Sequence, residues 1–79
     1  MNAKEAYGIA KPAYDKLCAR RLSFILRQIE ARAKQGEFSY TAGVIYPENK
    51  IELEKLGYTV IPEYNMVRGN CTVINWRNV

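Results

Sequence analysis

The sequence has no histidine, a single aspartate and only three prolines in 79 residues. Without histidine there is no Ser-His-Asp or Cys-His nucleophile system and no histidine-ligated metal. Asp15 is the sole aspartate and sits in a stretch of helical periodicity, so a paired-aspartate site cannot form within one chain. Lysine, tyrosine, glutamate and cysteine remain for acid–base work, but no spacing gathers them. The two cysteines, Cys18 and Cys71, lie far apart and form no C-x-x-C pair, which removes the zinc-knuckle and thioredoxin-like readings. No run approaches the roughly 20 apolar residues of a membrane span. The first twenty residues carry Lys4, Glu5, Lys11, Asp15 and Lys16 without the apolar core of a secretory leader. The expectation is a soluble, cytoplasmic protein with both thiols reduced and in the core.

Apolar residues make up 48 % of the chain and charged residues 25 %, a globular balance. The length allows one domain over residues 1–79. A core of this size supplies only a few kcal/mol, so self-association or a ligand is expected to help hold the fold. Charge is uneven. Residues 1–36 hold eight Lys/Arg against three acids, and residues 37–79 hold four against five. The basic character belongs to the N-terminal part and favours anionic partners.

Residues 1–11 read as an arm or short helix weakened by Gly8, and Pro12 as a helix start or a break. Residues 12–35 form the main helix. Tyr14, Cys18, Leu22, Ile25, Ile29 and Ala33 make one apolar stripe, and Gly36 stops it. Residues 37–76 read as β-α-β-β. Phe38, Tyr40, Ala42 and Val44 alternate with polar or small residues as a strand, with Gly43 as a bulge or a close approach. Pro47 starts a short helix that ends at Gly57, with Leu53 and Leu56 inward. Tyr58–Ile61 is a strand closed by Pro62. A polar connection with Gly69-Asn70 as its turn leads to a last strand, Cys71–Trp76. The fold class is α+β: one long helix on a three-stranded, mainly antiparallel sheet, in the order α-β-α-β-β with an optional short N-terminal helix.

On a helical wheel the apolar arc of the main helix covers roughly 200°, against the 100° or so that one interface needs. Leu17 and Phe24 supply the excess. The N-terminal segment or a second copy of the chain must cover it, and a homo-oligomer through the main helix is expected. Inside the arc Arg21, Gln28 and Arg32 form a stripe with Tyr14. Arg21 and Arg32 are candidate anion contacts, since a planar guanidinium makes bidentate bonds with phosphate. The plainer alternative is that their stems lie along apolar surface with the charge in water.

Tyr40 and Trp76 are candidate stacking surfaces for a base, against the simpler role of sheet residues with buried rings. Arg68, beside Gly69-Asn70, is a candidate anion contact on a loop. Asn75, with Ser39 and Thr41, offers hydrogen bonds to hydroxyls or base edges, or simply faces water. Lys16, Arg20, Arg27 and Lys34 form an outward basic face, but Glu30 interrupts it, so a solvated face accounts for it better than nucleic acid does. No motif calls for a cofactor or a metal.

The run Ala33-Lys34-Gln35-Gly36-Glu37-Phe38-Ser39-Tyr40, then Pro47-Glu48-Asn49, Leu53, Leu56-Gly57-Tyr58-Thr59-Val60 and Ile74-Asn75-Trp76, resembles very small proteins encoded by tailed phages and prophages. The last strand there often ends in Ser-Trp, where this chain has Asn75-Trp76. The resemblance covers about the last 50 residues and rests on turn and cap positions. Such proteins are often host-directed, inhibiting defence nucleases or sequestering nucleotide messengers as oligomeric sponges. The resemblance thus implies a non-enzymatic, homo-oligomeric binder of an anionic small molecule in the cytoplasm of a bacterial host. A protein-interaction inhibitor of a host defence enzyme is the alternative, and a nucleic-acid module the third.

Overall fold

The computed structural model describes residues 1–67 and 69–77. Helix α1 spans Ala3–Lys34, strand β1 Ser39–Ala42, helix α2 Pro47–Lys55, strand β2 Thr59–Asn65 and strand β3 Gly69–Asn75. The sheet order is β1-β3-β2 and both pairings are antiparallel, so the α+β order α-β-α-β-β holds with the last strand at the centre.

The N-terminal arm and the main helix are one element. Pro12 sits inside α1 and neither starts nor breaks it. Its missing N–H leaves the Gly8 carbonyl without a helical partner, but both residues are exposed, so water serves that carbonyl. The helix opens on Asn2, whose side chain accepts a hydrogen bond from the Glu5 amide at 2.9 Å. At the other end the Glu37 amide bonds back to Arg32 and that of Gly36 to Ala33, with Gly36 at φ +83°. Helix α2 closes the same way: Tyr58 bonds to Leu53 and Gly57 to Glu54, with Gly57 at φ +99°. These two stops need a left-handed residue, which glycine supplies without a Cβ clash.

Both helices pack on one face of the sheet. Ile25 and Ile29 of α1, Leu53 of α2, and Ala42, Val60 and Ile74 of the strands form the core. Tyr40 and Val60 stand opposite Ile74 in register, which places them on one face. Thr41 and Ile61 stand opposite Val73 on the other face, where Ile61 and Thr41 are exposed.

Several local readings are corrected. β1 is only four residues, and Gly43 lies in the bend after it with open space where a Cβ would stand, so it is neither bulge nor close approach. Leu56 caps α2 and is 60 % exposed; of the two leucines only Leu53 points inward. β2 runs through Pro62 to Asn65, and residues 63–65 pair with 69–71 where a polar connection was expected. An edge strand tolerates this, because a missing donor can lie on the unpaired side. Cys18 and Cys71 are buried and unbonded to each other.

Candidate functional site

The left-handed Gly36 reverses the chain at the end of α1 and brings β1 back along the last helical turns. That return sets the Arg32 guanidinium 6.0 Å from the centre of the Tyr40 ring. On the other side of β1 the Trp76 amide bonds to the Phe38 carbonyl at 3.0 Å, extending the ladder past the strand. The next residue, Arg77, lies over the Phe38 ring at 4.9 Å. The Asn75 side-chain oxygen accepts from the Arg77 amide at 2.8 Å and braces that turn. Two guanidinium–ring pairs thus flank β1, which is an edge strand.

Beside the Arg32–Tyr40 pair lies an open cleft of about 430 Å³, lined by Arg32, Glu37, Phe38, Ser39, Tyr40 and Thr41; Arg77 reaches the Phe38 ring but is not part of this lining. The cleft offers a cation, three hydroxyls and aromatic surface. Its one carboxylate, Glu37, meets Arg32 at 3.5 Å, with both side chains nearly half exposed. A pair this long and this wet holds weakly, so an incoming anion can displace the carboxylate.

Arg32 and Tyr40 are brought together here; Asn75, on β3, pairs with Ser39 and does not line the cleft. The remaining candidates stand apart. Tyr14 shares its wheel angle with Arg32 but lies eighteen residues earlier, about 27 Å along the axis. Its hydroxyl donates to the Glu48 carboxylate, and its ring meets Tyr46 edge-on at 5.2 Å. That hydrogen bond raises the Tyr14 pKa well above the usual phenol range and lowers that of Glu48. Arg21 is half-buried over the Phe24 ring at 5.6 Å, eleven residues before Arg32 on α1. Gln28 is half-buried on α1. Trp76 meets Tyr58 edge-on at 6.2 Å and lines a cleft with Leu26, Ile29 and Ala33. Arg68 lies outside the described residues.

Three residues that matter were not singled out from the sequence. Phe38 was read as a strand residue only, and Arg77 follows the last strand with no pattern to mark it. Asn49 is 1 % exposed in the first turn of α2, and its amide donates to the Cys18 carbonyl at 3.0 Å, tying α2 to α1. Its side-chain oxygen is buried without a partner.

A larger cleft, about 610 Å³, opens between the β2–β3 hairpin and the Val44–Pro47 corner. Its walls include Val44, Ile45, Val60, Pro62 and Tyr64, with Lys50 as the cation at its rim. It is suited to an apolar group rather than to an anion. Among the described residues no group of His, Cys, Asp and Glu is placed to hold a metal ion, and no helix is long and apolar enough to cross a membrane. No family model, curated protein or solved structure matches the chain.

Proposed function

We propose that this chain is a non-enzymatic, homo-oligomeric binding protein that sequesters an anionic small molecule of the nucleotide class in the cytoplasm of a bacterial host, as some small phage proteins of this size do. The observation that carries this reading is the Arg32–Tyr40 pair, cation and ring 6.0 Å apart on one polar cleft. In this scheme a phosphate replaces Glu37 on the Arg32 guanidinium, and Arg77 supplies a second charge. A base lies against the Tyr40 or Phe38 ring, and Ser39 and Thr41 bond to ribose or base edges. Arg21 and Tyr14 take no part.

Titration calorimetry with a panel of cyclic and linear nucleotides tests it. Arg32→Ala with Arg77→Ala abolishes the heat of binding, Arg21→Ala leaves it unchanged, and Glu37→Gln tightens it by removing the competing carboxylate. No binding by the intact chain, or undiminished binding by the Arg32/Arg77 double variant, refutes the assignment.

A second reading has its own observation. Tyr64, Met66 and Val67 are exposed at the hairpin tip beside the apolar cleft. That surface supports inhibition of a host defence enzyme by docking. It requires a specific host protein that is lost from the complex on Tyr64→Ser with Met66→Ser.

A further inference from the structure

β1 pairs with β3 along one edge and leaves its other edge open. The Trp76 amide donates to the Phe38 carbonyl, and these residues stand opposite each other one step beyond Ser39 and Asn75. In an antiparallel ladder, opposite residues alternate between exchanging both backbone hydrogen bonds and exchanging none. Phe38, Tyr40 and Ala42 therefore bond to β3, while the backbone N–H and C=O of Ser39 and Thr41 point away from it. Pro62 agrees with this phase. Thr72 and Ile74 turn their backbone groups toward β1, so Thr72 exchanges no bond with Pro62 opposite it, the one kind of place where a residue without an N–H fits. Among the described residues no backbone group bonds to Ser39 or Thr41 on the outward side, and both residues are exposed. The two open edges of the sheet differ. Pro62 interrupts that of β2, whereas β1 reads Ser-Tyr-Thr-Ala, with neither proline nor charge to block it.

The cleft beside Arg32 lies along this edge. Its walls are Arg32 and residues 37–41, with nothing from β3. Side chains alternate across a strand, so the Ser39 and Thr41 hydroxyls stand on the face away from Tyr40, while their backbone groups point out from the edge. Each outward residue of an open edge presents its N–H and its C=O side by side, a donor next to an acceptor. A nucleobase carries the reciprocal arrangement, such as N7 beside the N6 amino group of adenine. An ionised phosphate has acceptors only, so the carbonyls of this edge have nothing to offer it. We propose that the open main chain of β1, at Ser39 or Thr41, is the base-reading element of the cleft, and that the ligand class is one with a nucleobase rather than a bare phosphate or a sugar phosphate. This rests on the nucleotide reading of the Arg32 site and assigns the part of the ligand that Arg32 does not hold.

Amide NMR and calorimetry with the ribonucleoside monophosphates and with ribose 5-phosphate test the proposal. In the intact chain at least one of the monophosphates moves the amide proton of Ser39 or Thr41 downfield, and ribose 5-phosphate moves neither, a readout that needs no variant. Proline removes only the outward N–H, as Pro62 shows on β2. Ser39→Pro with Thr41→Pro is therefore expected to keep the fold and to bind that monophosphate about tenfold more weakly, with ribose 5-phosphate unaffected. Ser39→Ala with Thr41→Val keeps both amides and binds it as the intact chain does. A bound monophosphate that leaves both amide protons in place, undiminished binding by the folded proline variant, or loss of binding in the Ala/Val variant overturns the inference and leaves Arg32 standing as a phosphate site. A chain that binds neither the monophosphates nor ribose 5-phosphate defeats the nucleotide reading itself, and the inference with it.

Discussion

Residues 14–34 and residues 3–13 belong to one uninterrupted helix, yet different things hold them. The later segment buries Cys18, Ile25 and Ile29 against α2 and the sheet. The earlier segment buries nothing and carries the helix's glycine and proline. This overhang gives the molecule a long axis of 50 Å. Its radius of gyration is 14.9 Å, where a compact domain of this length has about 11.6 Å. A helical sequence therefore needs a covering surface as much as it needs propensity, and the first third of α1 lacks one among the described residues.

The comparison breaks most visibly in the core. Ile25→Ala is expected to cost about 2–5 kcal/mol in urea melts, because it opens a cavity at a fully buried site. Ile9→Ala, on the exposed overhang, is expected to change stability by no more than about 0.5 kcal/mol. Equal effects would mean that the two segments do not differ in the way described. A smaller loss, about 1–3 kcal/mol, is expected for Asn49→Ala, which removes the amide joining α2 to the Cys18 carbonyl from a buried position. An unchanged melt would show that the held segment does not rely on that tie.

The smallest effect lies at the boundary between the segments, where Tyr14 donates to Glu48. The hydroxyl lowers the Glu48 pKa, so its contribution is present above the ordinary value of 4.5 and is lost as pH falls through the lower folded value. Tyr14 is raised chiefly by the same bond. Its contribution is complete below the ordinary value of 10.0 and is lost as pH rises through the higher folded value. Both groups are exposed to solvent, so the stability change is slight. Melts between about pH 3 and pH 5 should show a small decline in the intact chain that Tyr14→Phe removes. The same decline in Tyr14→Phe would assign it to other carboxylates.

Much of the fold was legible because its signals are local. Gly36, after basic residues in the last turns, and Gly57 marked the two helix stops, and Pro47 marked the start of α2. The stripe through Cys18, Ile25 and Ile29 named the buried side of α1. Pro12 was not legible, because whether a proline breaks a helix depends on whether water can reach the freed carbonyl. Pro62 likewise depended on β2 lying at an edge, which no local pattern states.

The candidate site was legible only in part. The wheel put Tyr14, Arg21 and Arg32 in one row, but a row on a long helix spans several unrelated neighbourhoods. Convergence at Arg32 came from the return of β1 after Gly36, and Phe38 and Arg77 joined through strand pairing. The excess of apolar arc was visible from the sequence, through Leu17 and Phe24.

Hydrogen exchange along α1 at two protein concentrations tests the central claim most directly. The account predicts that amides of residues 18–29 exchange slowly at both. Amides of residues 6–13 should be protected at high concentration and exchange freely on dilution below the oligomer's dissociation constant. Free exchange of residues 6–13 at every concentration, or protection that dilution does not change, would contradict the account.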